Sequence, residues 1–284
     1  MKSTKKSIYL CAISNISSGS CTEDCGFCTQ SAHHKIVIER YKYKSIDQIV
    51  LEAKSAVKNG ALAFCLVTSG LGLDDKKLVY VCEAAHAIKK ELSKIHLIAC
   101  NGIATLKQLK TLKEAGVDSY NHNLETSKNF YSKVCTTHSW EARYQTCKNV
   151  NEAGLYLFCG GIFGLGETKE DRVSFIESVK SLNPLTMPLN FFIHHPSLPL
   201  QTDTLNEEEA LEIIREVRIA LPETRLMLAG GRETIFTSSH YDIFEAGIDA
   251  IVIGDYLTTK GECPEKDRVM IEHLGYRVIS SCDL

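Results

Sequence analysis

Eight short apolar runs alternate with eight amphipathic stretches along this chain, and that alternation limits its fold more than any other feature. The runs at 8–13, 62–67, 96–99, 117–121, 155–162, 189–193, 225–228 and 250–253 read as strands. The stretches at 45–58, 74–90, 105–114, 140–152, 169–181, 206–220, 238–245 and 265–273 read as helices. Asn59-Gly60, Ala115-Gly116, Ala153-Gly154 and Ala246-Gly247 punctuate helix ends, each followed at once by a strand. Repeated strand–helix units without a break in composition imply parallel pairing through right-handed crossovers. Eight such units in 284 residues predict an α/β protein, a (β/α)8 barrel of TIM type forming a single domain over 1–284. An open doubly wound sheet is the other solution. A barrel places its chemistry at the C-terminal ends of the strands.

Composition removes several functions. With 44% apolar and 24% charged residues the chain can bury a sizeable core, and a net charge of −3 offers no basic footprint for nucleic acid or an anionic membrane. No apolar run approaches the roughly eighteen residues of a membrane span. The apolar stretch at 8–13 is too brief for the core of a signal peptide, so a cytoplasmic protein is expected.

Twelve cysteines are many for a reducing compartment and too few for a disulfide scaffold. Cys11, Cys82, Cys135, Cys147, Cys263 and Cys282 stand alone and read as small hydrophobes. Cys21, Cys25 and Cys28 do not, because they share one loop (17–30) after the first strand, spaced C-x3-C-x2-C. A structural zinc site wants four ligands in paired knuckles, and His33 and His34 are the nearest fourth candidates. Three thiolates from one loop suit a cubic iron–sulfur cluster, with the fourth iron open to an outside ligand.

That loop, with Phe27 before its last cysteine, resembles the radical S-adenosylmethionine (SAM) superfamily. In that superfamily the amino and carboxylate groups of SAM chelate the open iron of a [4Fe–4S] cluster. An electron from the cluster splits the sulfonium into methionine and a 5′-deoxyadenosyl radical, which removes hydrogen from an unactivated carbon. The cofactors carry the hard step; the protein positions the carbon and keeps water away.

Four further segments narrow the resemblance. Cys65 lies within the second strand, Cys100 ends the third, Asn121-His122-Asn123-Leu124-Glu125-Thr126 follows the fourth, and Gly160-Gly161-Ile162 begins a glycine-rich turn that ends at Glu167. In this order they resemble the biotin synthase family along nearly the whole chain. The resemblance implies a second, [2Fe–2S] cluster inside the barrel that donates sulfur to dethiobiotin. It implies Cys65, Cys100 and Arg232 as ligands of that cluster. Read alone, an arginine after the Gly230-Gly231 turn is a clamp for phosphate or carboxylate. The family's third cysteine precedes the residue before Gly-Gly, which here is Phe158, with Cys159 one step later. Side chains alternate along a strand, so three outcomes stand open. A bulge turns Cys159 inward as the ligand, the cluster has fewer protein ligands, or the donor site is impaired.

The resemblance further implies that Asn123, Glu125, Arg143 and Ile162 hold SAM and that Asn123 and Asn190 meet the substrate. Without it, Arg143 reads as a surface arginine, and Asn190 as an amide satisfied by backbone or offered to a ligand. Residues 160–167 lack the lysine and the spacing of a phosphate loop and read as close backbone approach to adenine. The adjacent His194 and His195 read as loop residues. An electron-donor protein and a homodimer complete what the family implies. The rival within the class is a small-barrel radical SAM enzyme with a reduced or absent second cluster.

Overall fold

The computed structural model describes residues 7–237 and 240–279. In order, the elements are β1 (Ser7–Ser17), α1 (Ile46–Lys58), β2 (Ala63–Thr68), α2 (Asp75–Glu91), β3 (His96–Cys100), α3 (Leu106–Glu114) and β4 (Ser119–Asn121). Then come α4 (Lys128–Tyr131), α5 (Trp140–Ala153), β5 (Tyr156–Phe158), β6 (Gly161–Phe163), α6 (Lys169–Ser181), β7 (Thr186–Phe191) and α7 (Glu207–Ala220). The last are β8 (Arg225–Leu228), α8 (Arg232–Ile235), α9 (His240–Ala246), β9 (Ala250–Ile253), α10 (Pro264–His273) and β10 (Arg277–Val278). The helix expected over 238–245 is seen from His240; Ser238, Ser239 and Cys282 lie outside the described residues.

Every strand pair is parallel, and β9 pairs back onto β1, closing a barrel in which β5 and β6 together make the fifth of eight staves. The barrel expectation holds and the open sheet is excluded. Tracing paired residues from Asn15 once round the barrel returns to β1 at Ser7, eight residues away, the stagger of this barrel class. With that stagger, alternate staves supply each internal layer of four side chains. Cys11, Ile98, Phe158 and Met227 form one such layer and are packed in a single buried cluster. A larger apolar cluster fills the space between the staves and the helices.

The helices form where the sequence places caps. Thr105 and Gln108, Thr168 and Asp171, and Asn206 and Glu209 make reciprocal capping boxes at α3, α6 and α7. At the far end of α5, Gly154 takes the left-handed C-cap conformation (φ 70°) before β5 begins.

The fifth stave was expected to run unbroken over 155–162, yet its ladder lapses at Cys159 and Gly160. Pro188 stands opposite and has no N–H to donate. A Cβ on Gly160 would lie 1.9 Å from the Pro188 carbonyl oxygen, so only glycine permits this approach. The interruption contains no bulge. Phe158 faces Thr186 and Gly161 faces Leu189, three residues on in both strands, so side-chain alternation continues unchanged across it.

Candidate active site

The chain leaves β1 through Gly19 and Ser20, both left-handed (φ 74° and 56°), and enters the cysteine loop. The loop is pinned to itself by Cys21 N–H to the Gln30 carbonyl (3.1 Å), Ala32 N–H to the Cys21 carbonyl (2.7 Å) and Cys28 N–H to the Cys25 carbonyl (3.0 Å). Gly26 N–H to the Val134 carbonyl (2.8 Å) ties it to the segment after α4. So held, Cys21, Cys25 and Cys28 all open on one cavity of about 340 Å³ at the barrel mouth. Burial pushes the Cys28 thiol up to about 11.

Asn123, Glu125, Arg143, Ile162 and Asn190 line the same cavity. Strand β4 stops at Asn121, where residues 121–125 oppose only 158–161 of the fifth stave. This inserted residue is a bulge on the fourth stave, and Glu125 takes a left-handed backbone (φ 69°) there. Asn121, Asn123 and Glu125 nevertheless all reach the cavity. Glu125 Oε1 lies 3.5 Å from Arg143 Nη1, while Glu125 Oε2 is buried without a partner. Burial pushes the Glu125 carboxyl above its usual range, with Arg143 opposing. An unpartnered carboxylate oxygen in a cavity fits a cationic ligand amine.

Arg143 is not a surface arginine: its side chain is only 12% exposed. It donates to the Asn123 carbonyl (3.0 Å), the Tyr131 hydroxyl (2.7 Å) and His138 Nε2 (3.2 Å). The other ring nitrogen of His138, Nδ1, lies 2.7 Å from Glu23 Oε2. Tyr131, His138 and Glu23 thus support the site, although their types and spacing gave no signal. Cys135 was also read as bland. Its Sγ accepts from Cys25 at 3.6 Å and lies 3.3 Å from His138 Nδ1, and this trio's ligand atoms lie within 4.8 Å of one another. Cys135 does not line the mouth cavity; it stands behind Cys25.

Asn190 uses both ends of its amide on backbone, donating to the Gly161 carbonyl (3.1 Å) and accepting from Gly230 N–H (2.9 Å). The glycines of 160–167 answer first to neighbouring backbone, since a Cβ on Gly161 would lie 2.3 Å from the Glu125 carbonyl oxygen. His194 and His195 sit in the loop after β7, as expected, with His194 bonded to Gln201 (2.8 Å).

Below the mouth a second cavity of about 330 Å³ occupies the barrel lumen and shares Cys100, Asn121, Asn123 and Glu125 with the first. Cys65 and Cys100 line it, as does Cys11. Cys65 and Cys100 are hydrogen-bonded to each other, which holds the Cys65 proton on and pulls the Cys100 thiol down. Asn121 Nδ2 donates to Cys100 Sγ at 3.3 Å.

Two residues named with this group are elsewhere. Cys159 faces the helix layer, with its Sγ 3.8 Å from Cys147 on α5, because the unbroken register of the fifth stave turns Phe158 inward instead. The bulge that would bring Cys159 to the lumen is absent. Arg232 is 1% exposed and bound through two nitrogens to Asp267 of α10 (2.7 and 2.9 Å), with Glu233 at 2.9 Å. It lines neither cavity.

Comparison with known proteins agrees with this geometry. The Radical SAM superfamily profile matches residues 15–179, and the Biotin and Thiamin Synthesis associated domain matches 188–277, from β7 onward. The chain belongs to the radical SAM superfamily. Within it, the chain is 58% identical over 275 residues to the biotin synthase of Campylobacter jejuni subsp. jejuni serotype O:23/36 (strain 81-176), covering 97% of this chain and 99% of that one. It is 55% identical over 282 residues to the biotin synthase of Sulfurovum sp. (strain NBC37-1), covering 99% of both. The chain is therefore a member of the biotin synthase family. Among solved structures, methylornithine synthase has the same fold (TM-score 0.80, 16% identity, 96% of this chain and 84% of that one). So does the hydrogenase maturase HydG of Carboxydothermus hydrogenoformans (TM-score 0.81, 20% identity, 96% and 67%).

Proposed function

We propose that this chain is a radical SAM sulfurtransferase that converts dethiobiotin to biotin. The observation that carries this reading is the stacking of two cysteine-lined cavities in one barrel, three loop thiols above and strand thiols below. The bound clusters and SAM supply a carbon-centred oxidant and a sulfur atom; everything else falls to the protein.

Cys21, Cys25 and Cys28, which open on one cavity, would hold the [4Fe–4S] cluster to which SAM binds. Glu125, with its unpartnered oxygen, takes the SAM amine, and Arg143 meets the carboxylate while also fixing Glu125 and Asn123. Ile162 packs against SAM from the barrel rim. Asn123 and Asn190, whose backbone bonds fix their orientation, face the substrate between the two cavities. Dethiobiotin is the partner small molecule, and reduction of the cluster calls on an electron-donor protein.

No helix among the described residues is long and apolar enough to cross a membrane. A cytoplasmic homodimer, with 1–284 acting as one domain, is the setting that the family resemblance supports.

The test is anaerobic turnover with SAM, dethiobiotin and a low-potential reductant, assayed for 5′-deoxyadenosine and biotin together. Cys65→Ala is expected to keep SAM cleavage within about threefold and to lose biotin formation by more than about a hundredfold, beyond the usual loss of an outer-sphere contact. Biotin formation at the unsubstituted rate would contradict the role of the lumen thiols in sulfur donation.

A further inference from the structure

The lumen supplies fewer of the expected ligands than the family resemblance implies. Phe158 stands where the third cysteine would be, 1% exposed and stacked on His96 at 6.0 Å. Burial pushes the His96 pKa down to about 4. Cys159 is turned out to α5 and Arg232 is committed to Asp267. Cys65 and Cys100 remain, and two thiols are a thin hold for a cluster bound through cysteines.

A third thiol stands on β1. Cys11, on β1, is 1% exposed and borders the same lumen cavity. Cys11 pairs with Ala63, so Cys65 lies two residues further up the next stave. Cys65 pairs with Ile98, so Cys100 lies two residues further up the one after. Both steps keep the inward parity. The three thiols therefore climb the inner wall on consecutive staves β1, β2 and β3 with equal stagger. An ordinary core cysteine is packed on all sides; this one fronts open volume beside two other thiols.

We propose that Cys11 is the third protein thiolate of the iron–sulfur cluster in the barrel lumen, with Cys65 and Cys100, and that it replaces the ligand lost at Phe158. This assignment rests on the biotin synthase reading and adds to it a ligand from a different strand. The thiols belong to separate staves of a closed sheet, so their spacing is fixed by the ladder before any metal arrives. Burial pushes the Cys11 thiol up to about 12, with Arg225 at the floor of the barrel opposing. Metal binding displaces such a proton. Without metal the thiol is unreactive, which suits a site that must survive between loadings.

The experiment reads metal and not turnover. Protein reconstituted anaerobically with iron and sulfide is compared, by metal analysis and Mössbauer spectroscopy, as unsubstituted enzyme, Cys11→Ser, Cys11→Ala, Cys65→Ala and Phe158→Cys. The four-iron signal of the loop cluster in each sample serves as the internal check on folding. Cys11→Ser and Cys11→Ala are expected to lose the two-iron signal, about two irons per chain, as fully as Cys65→Ala does. Phe158→Cys is expected to leave auxiliary iron unchanged, because the thiolate set is already complete. Retention of the two-iron signal in both Cys11 variants, with its loss in Cys65→Ala, would overturn the Cys11 assignment and leave the functional reading standing. A large gain of auxiliary iron in Phe158→Cys would also overturn it. Retention in the Cys11 and Cys65 variants alike would remove the lumen site altogether, and the functional reading with it.

Discussion

Replacing Cys25 by alanine is expected to abolish reductive cleavage of SAM, by more than about a hundredfold in 5′-deoxyadenosine formed, the upper end for loss of an outer-sphere contact. Cys25 is the middle of three thiols facing the mouth cavity, and without it an iron loses its protein ligand. The informative control is Cys135→Ala. The Cys135 sulfur lies only 3.6 Å from that of Cys25, close enough to pass for a ligand, but it stands behind Cys25 and does not border the cavity. That variant is expected to keep both the four-iron absorption and SAM cleavage. Loss of the cluster in Cys135→Ala as well as in Cys25→Ala, with its retention in Cys21→Ala, would place the iron in the Cys25–Cys135–His138 pocket instead.

Asp267→Asn is expected to destabilise the fold by about 3–5 kcal/mol, the usual result of removing one member of a buried ion pair. Arg232 and Asp267 have side chains only 1% and 2% exposed, and Glu233, the other anion on Arg232, is partly in solvent. The change leaves a guanidinium in the interior with its two-point partner gone. Urea unfolding followed by circular dichroism measures the effect, and a loss below about 1 kcal/mol would mean that solvent reaches the pair. The same variant is expected to retain lumen iron in the folded state, because Arg232 lines neither cavity.

Much of this arrangement was legible in the residues. Period and punctuation placed the staves, since a strand such as 250–253 is a bare apolar run between a glycine and a loop. The C-x3-C-x2-C loop was legible because a local motif needs no tertiary contact to bring its thiols together. What failed depended on register. Whether Phe158 or Cys159 faces inward is decided by how the fifth stave pairs with β7, and no pattern within 155–162 states that. The bulge expected on that stave lies instead at the end of the fourth, where it aims Glu125. The pairing of Arg232 was not legible because its partner Asp267 is 35 residues away on a later helix. Cys11 was passed over for a similar reason: a lone cysteine in a first strand looks like filler until β2 and β3 are laid beside it.

The central claim is that three loop thiols hold a cluster with one iron left for SAM. Electron paramagnetic resonance of the reduced, reconstituted protein, recorded before and after adding SAM, tests it most directly. The account predicts a reduced four-iron signal whose g values and linewidth change on adding SAM, because the ligand binds iron, and Glu125→Ala should weaken that response. A signal that SAM leaves unaltered, or no four-iron signal at all, would contradict it.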